Sequence, residues 1–152
     1  MSHDEAVEYA LCFGWIDSTR KSIDKDCSAQ RFSPRKKNSA LSELNKERIR
    51  RLIKAGLMTA AGFESIKHHF QKTLEVSPQP GELKKYKLPK DILTEIKKDP
   101  VAWKNFKNFP DYYKNIRIGF LDNSRNRPEV FRKRLDYFIK MTAKNKRYGS
   151  IK

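Results

Sequence analysis

Cysteine is scarce in this 152-residue chain: there are two, Cys12 and Cys27, with no CxxC spacing. That excludes a disulfide framework and a zinc site of the ribbon type. Glycine is sparse as well, six in all, and none makes a glycine-rich loop after a strand, so the usual nucleotide-phosphate cradle is missing. No apolar run approaches the ~20 residues needed to span a bilayer. The N-terminus MSHDEAVEYA has acids where a secretory signal needs basic residues and an apolar stretch. Acids are the minority charge, 18 against 34 Lys and Arg, for a net +16. These deficits point to a cytoplasmic protein with reduced thiols and no membrane span. The charge favours an acidic partner, whether nucleic acid, an anionic surface or an acidic protein. A generally basic proteome would produce the same charge as background.

What the chain does contain is helical periodicity. Ser2 with Glu5 fits a capping box at the start of a first helix, 2–13, with Ala6, Tyr9, Ala10 and Phe13 as its stripe, Val7 and Leu11 beside it, Cys12 as buried core and Gly14 as its stop. Between 15 and 37 the pattern becomes short and partly alternating around the turn Asp24-Lys25-Asp26, which reads as a small hairpin. Ser42 caps the clearest helix, with Leu44, Ile49, Leu52 and Ile53 as its buried face. Thr59 caps a third helix, expected to run from Ala60 to about Leu74 with Phe63, Ile66, Phe70 and Leu74 on one side. The stretch VSPQPGELKKYK, 76–87, reads as a loop. Beyond it, Pro89, Asp99-Pro100, Pro110 and Pro128 punctuate four further helices, rich in aromatics such as Trp103, Phe106, Phe109, Tyr112 and Tyr113.

The expected fold is therefore α+β, mainly α. It is a compact bundle of about seven helices with a small β-hairpin-like element between the first two. The expected organisation is a single domain, 1–152. Within it, 1–75 and 88–143 read as subdomains joined by loop 76–87, followed by a basic tail, 144–152, expected to be disordered in solution.

Three stretches carry a resemblance: EAVEYALCFGWIDS, QRFSPRKKNSALSELNKERIRRLIKAGLMTAAG and NSRNRPEVFRKRLDYFIKMTAKNKR. Together they resemble the YdeI/OmpD-associated family, also called bacteriocin-protection proteins, with GWID and RFxPR as the more specific elements. The chain departs from the family pattern in two places. Leu41 stands where the family has tryptophan, and Ala60 stands where it has proline. Against that pattern the chain also looks short of the usual N-terminal helix and strand, so that either the start is misplaced or this is a shortened member. The resemblance implies a small soluble bacterial protein linked to envelope stress. It carries over no catalytic residue and no cofactor.

Two groups of residues stand out as candidate sites. Trp15, Asp17, Arg20, Arg31, Phe32 and Arg35 could form a pocket in which arginine forks hold a carboxylate or phosphate between aromatic walls. Equally, Asp17 could pair with an arginine and pin the hairpin to the helix starting at Ser42. Lys36, Lys37, Arg48, Arg51, Arg132, Arg134, Lys146 and Arg147 are candidates for a basic surface. From Arg125 on, ten bases face only Glu129 and Asp136. His68 and His69, read as helical neighbours, would point about 100° apart and not converge on a metal. Asp24 and Asp26 lack the glycine and glutamate of a calcium loop. No metal site, catalytic residue or cofactor is expected. The expected function is a non-enzymatic stress-protection or interaction protein with a basic surface. The alternatives are a nonspecific nucleic-acid-binding protein, and a small-anion binder or enzyme at the Trp15–Arg35 cluster.

Overall fold

A computed structural model describes residues 1–70 and 86–149. The chain divides into two compact units, Met1–Lys85 and Tyr86–Lys152. Most of the expected loop at 76–87, and Leu74, lie outside the described residues.

In the first unit, Ser2 and Glu5 cap α1 (His3–Cys12) reciprocally: Ser2 N donates to Glu5 Oε2 at 2.6 Å and Glu5 N to Ser2 Oγ at 3.2 Å. Gly14 follows at φ +77°, the left-handed region that stops the helix and turns the chain into β1 (Trp15–Ser22). β1 pairs antiparallel with β2 (Ser28–Pro34) in a two-stranded sheet. Asp24 builds the connecting turn, its Oδ1 accepting from the amides of Asp26 (2.9 Å) and Cys27 (2.7 Å). Ser42 then caps α2 (Glu43–Lys54), and Thr59 caps α3 (Ala60–Ile66).

Two expectations are corrected here. α3 ends at Ile66 instead of running on to Leu74. The chain tightens into a 3₁₀ turn, Lys67–His69, and Phe70 is extended. The buried stripe of α1 is also different. Val7, Leu11 and Cys12 enter the core with Leu41, Ile49, Leu52 and Ile66, while Tyr9 and Phe13 face outward at 65% and 57% exposure. The rotation follows from the polar residues beside the stripe. Asp4 and Glu8, one turn apart, meet Arg48 and Arg51 of α2, so the neighbouring Val7 and Leu11 turn inward.

The second unit is helical throughout its described part: α4 (Lys90–Lys97), α5 (Pro100–Asn108), α6 (Asp111–Asp122) and α7 (Pro128–Ala143). Asp99 caps α5 through Oδ1, which accepts from Val101 N and Ala102 N at 3.0 and 2.9 Å, with Pro100 filling the first helical position. Its core joins Ile92 and Ile96 to Phe106, Phe109, Tyr113, Ile118, Leu121, Leu135 and Phe138. Phe106 meets Phe138 edge-on at 6.2 Å, and Phe109 meets Tyr113 likewise at 5.3 Å. The expected aromatic run is thus mostly core. In the described part of the basic tail, 144–149, Tyr148 packs against the helices while Lys144, Asn145, Lys146, Arg147 and Gly149 are exposed. Tyr148 N donates to Tyr113 Oη at 3.1 Å, its ring lies edge-on to Tyr137 at 5.0 Å, and the Arg117 guanidinium stands 4.9 Å from its centre.

The expected architecture is present: mainly helical α+β, with seven α-helices among the described residues and one antiparallel hairpin between α1 and α2.

Candidate functional site

The hairpin register decides which of the first group of candidates share a face. Trp15 pairs with Pro34, Asp17 with Phe32 and Arg20 with Gln30, with an irregularity between Asp17 and Arg20. Residues three apart on a regular strand point to opposite faces; the bulge restores Arg20 to the face of Asp17. Trp15, Asp17, Arg20 and Phe32 therefore lie on one face, and Arg31, between Phe32 and Gln30, on the other. Arg20 leans toward the turn end of the hairpin, its Nε donating to Ser28 Oγ at 3.1 Å. Around Trp15 and Phe32 the surroundings are apolar: with Ala6, Tyr9, Ala10, Phe13 and Met1 they line an open groove on the outer side of α1.

Arg35 leaves that face. Its backbone N–H is held by Gly14 O at 2.9 Å. Its side chain is buried, with Nη1 donating to Ser39 Oγ (3.1 Å) and Ala40 O (2.9 Å). Burial pushes its pKa down, and the charge of Asp17 acts in the opposite sense. Asp17 itself makes no ion pair among the described residues. The ion pairs to α2 come instead from α1 and hold that helix, not the hairpin: Arg48 Nη2 to Asp4 Oδ1 at 2.5 Å, and Arg51 Nη2 to Glu8 Oε1 at 3.1 Å.

The second group of candidates divides by unit and by environment. Lys36, Lys37, Arg48 and Arg51 belong to the first unit; Arg132, Arg134, Lys146 and Arg147 to the second. Arg48 is buried and Arg51 paired as above. Arg132 bridges Glu95 (3.3 Å) and Asp136 (3.0 Å). Arg134 stacks over Phe120 at 4.0 Å, and Arg147 Nη1 donates to Tyr112 Oη at 3.4 Å. Lys36, Lys37 and Lys146 are exposed and without an acidic partner among the described residues. Lys133, Lys140 and Lys144, among the ten bases counted from Arg125 on, are likewise exposed and unpaired among the described residues, and so are Lys104 and Lys107, which the sequence did not single out. Charge counting alone cannot separate these from Arg48 or Arg132, because pairing is a tertiary property. The second unit holds 18 Lys and Arg against seven Asp and Glu, a net +11 of the chain's +16.

His68 and His69 do converge. In the 3₁₀ turn their rings stand 4.1 Å apart, and both Nε2 atoms face Ser39 O, at 3.4 and 3.0 Å. The turn itself separates successive residues by about 120°; the two side chains meet over the Ser39 carbonyl that both face. Burial lowers the His69 pKa, only partly offset by its bond to Ser39. Among the described residues no three His, Cys, Asp or Glu side chains gather as a metal site would need. Burial, with Glu8 adding to it, pushes the Cys12 thiol up, away from the reactive thiolate. No helix among the described residues is long and apolar enough to cross a membrane.

Comparison with known proteins divides the chain along similar lines. Residues 85–145 match the family described as "Bacteriocin-protection, YdeI or OmpD-Associated". Residues 1–65 match a different family, a domain of unknown function (DUF8412). The resemblance seen in the sequence is thus supported for the C-terminal unit, and the expectation of a lost N-terminal segment finds no support. No curated protein and no solved structure matches the chain.

Proposed function

We propose that the protein is a non-enzymatic interaction protein that meets an acidic macromolecule through its basic C-terminal unit, in the protective role that the matched family's description suggests. The observation that carries this reading is the +11 charge on a folded unit whose acids are mostly occupied. Asp91 and Asp122 hold Arg125, Glu95 and Asp136 hold Arg132, and Asp111 holds Lys114. The remaining lysines on α5, α7 and the segment after it have no acidic partner among the described residues, so their field is directed outward. Helices fixed by an aromatic core present those charges without an ordering cost at binding. The cytoplasm, where both free thiols stay reduced, is the compartment that suits it.

One observation favours nucleic acid as the acidic macromolecule. Phe120 and Tyr137 are half exposed, with Arg134 and Arg117 stacked about Phe120 at 4.0 and 5.8 Å. Guanidinium groups beside exposed aromatic rings suit bases and phosphates together.

The test is titration of mixed-sequence DNA and RNA with the full chain at about 50 and about 300 mM salt. Binding should be sequence-indifferent and fall steeply with salt. Replacing Lys104, Lys107 and Lys133 with glutamate should abolish it while α-helical content is kept. If nucleic acid fails to bind at low salt but an acidic polypeptide does, the interaction role stands with a protein partner. If neither binds, the charge is background and the proposal fails.

A further inference from the structure

Arginine and aromatic side chains from three parts of the second unit form one closed patch. Phe120 and Arg117 stand on α6, Arg134 and Tyr137 on α7, and Tyr148 on the segment that follows α7. The Arg134 guanidinium lies 4.0 Å from the centre of the Phe120 ring. Arg134 and Tyr137 are three residues apart and so are neighbours on the surface of α7. The Tyr137 ring meets Tyr148 edge-on at 5.0 Å. Arg117 closes the circuit, its guanidinium 4.9 Å from the Tyr148 ring and 5.8 Å from that of Phe120.

The patch faces water. Phe120 and Tyr137 are 45% and 49% exposed, and neither belongs to the buried cluster that Phe106, Tyr113 and Phe138 build. Each ring is nonetheless held by a guanidinium or another ring. Its open surface is therefore presented with little rotamer freedom left to lose at binding.

The cations beside it are aligned. Lys133, Tyr137, Lys140 and Lys144 follow one another at steps of four, three and four residues, which puts them in one row on α7. That row lies opposite the buried Leu135, Phe138 and Thr142. At the helical rise it is about 16 Å long, the reach of a few nucleotides of extended strand. All three lysines are exposed and without an acidic partner among the described residues. The acids nearest the row are Glu129, one turn before Lys133, and Asp136, which is held by Arg132. Three lysines against Glu129 leave the row a formal +2.

Lysines in a row serve any polyanion. Half-exposed rings flanked by guanidinium groups add affinity only when the polyanion also brings flat faces that are free to stack. A duplex keeps its base faces against one another, and an acidic polypeptide does not carry a ring at every residue. An unpaired nucleic-acid strand has a phosphate and an open base at each step.

Resting on the reading that the basic unit meets nucleic acid, we propose that this face of α6 and α7 is a site for single-stranded nucleic acid. Lys133, Lys140 and Lys144 take phosphates, and bases stack on Tyr137 and on the Phe120–Arg134 pair. Neither contact reads base identity, so the site accepts strands of mixed sequence.

The test is an anisotropy titration of the full chain at about 100 mM salt. The probes are a labelled DNA single strand of about twelve nucleotides, the same strand with every base removed, and its duplex. The abasic strand keeps the phosphates and offers nothing to stack. The intact strand should bind roughly fivefold or more tighter than the abasic one. Phe120→Ala and Tyr137→Ala should each weaken binding of the intact strand by roughly fivefold or more and leave the abasic strand and the duplex unchanged. Tyr137→Phe, which keeps the ring, should bind as the natural chain does. Lys140→Ala should weaken intact and abasic strands alike. Tyr9→Ala, which removes an exposed ring from the first unit, should change nothing. If Phe120→Ala loses helical content, Tyr137→Ala and Tyr137→Phe decide. Equal affinity for intact and abasic strands, or equal losses for strand and duplex in the ring variants, would overturn the proposal and leave the charge-driven reading standing. No binding of any of the three probes, even at about 50 mM salt, would overturn it together with the nucleic-acid reading on which it rests.

Discussion

Arg48 of α2 and Asp4 of α1, 44 residues apart, meet at 2.5 Å, and the contact is lopsided: the arginine side chain is 9% exposed, the aspartate 56%. A nearly buried guanidinium is thus neutralised from the surface, with Asn45 Oδ1 taking a second N–H at 3.0 Å. This pair sets the rotation of α1 and thereby decides which of its two apolar sides is core.

Removing Arg48 should cost more than removing its partner. Arg48→Ala is expected to destabilise the first unit by about 1–3 kcal/mol, through lost packing and lost charge-assisted bonds. Asp4→Ala, exposed and partly replaceable by Glu8 at 3.9 Å, should cost about 1 kcal/mol or less. Chemical denaturation of both variants checks the order. Equal and negligible effects would mean that apolar packing alone orients α1.

Gly62 should resist substitution for a reason unrelated to turns. It sits inside the first turn of α3, where an added Cβ would collide with the carbonyl oxygen of Cys12. That oxygen already accepts from Thr59 Oγ1 (2.6 Å) and Thr59 N (3.1 Å), so it has no room to retreat. Gly62→Ala is expected to cost more than about 2 kcal/mol, although alanine favours a helix by about 1 kcal/mol. Gly56, left-handed at φ +69° but with open space around it, should lose only about 1 kcal/mol on the same change.

Acidification should weaken the first unit by way of His69. Burial holds its folded-state pKa below the ordinary 6.5, with the charges of His68, Lys46 and Arg35 acting in the same direction. A depressed pKa means the unfolded chain binds the proton more readily, so the neutral form's stability is present above about pH 6.5 and is lost as the pH falls through the folded-state value. Melting temperatures between pH 7.5 and 5 should decline. His69→Gln, which cannot titrate, should flatten that decline.

The segment after α7 should contribute to the stability of the second unit. Tyr148→Ala removes a half-buried ring and the Arg117 contact and is expected to cost about 1–3 kcal/mol. Burial also raises the Tyr148 phenol above its ordinary pKa, so this contribution is complete below about pH 10 and fades as alkali ionises it in the fold. An unchanged melting temperature in the alanine variant would show that the segment is not anchored in solution.

Helix starts and the hairpin were legible because they depend on local chemistry. Ser2, Ser42, Thr59 and Asp99 cap the helices that follow them, and Asp24 makes the turn that joins the two strands. The end of α3 was not legible, because Phe63, Ile66 and Phe70 keep helical spacing across a point where the backbone leaves the helix. Spacing also suggested a single cluster from Trp15 to Arg35. The register keeps Trp15 and Phe32 together, puts Arg31 on the other face, and the corner at Gly14 takes Arg35 inside.

By itself, then, the sequence determined the number and type of elements, the caps that begin them, the excess of positive charge and its concentration toward the C-terminus, since each depends on neighbours within a few residues or on composition. Only the tertiary structure decided which side of α1 is buried, which arginines are spent on Asp4, Glu8 and Glu95, and that Arg35 is buried. Those depend on which side chains meet across 40 residues or more of chain, or around a corner, and no local pattern encodes such a meeting.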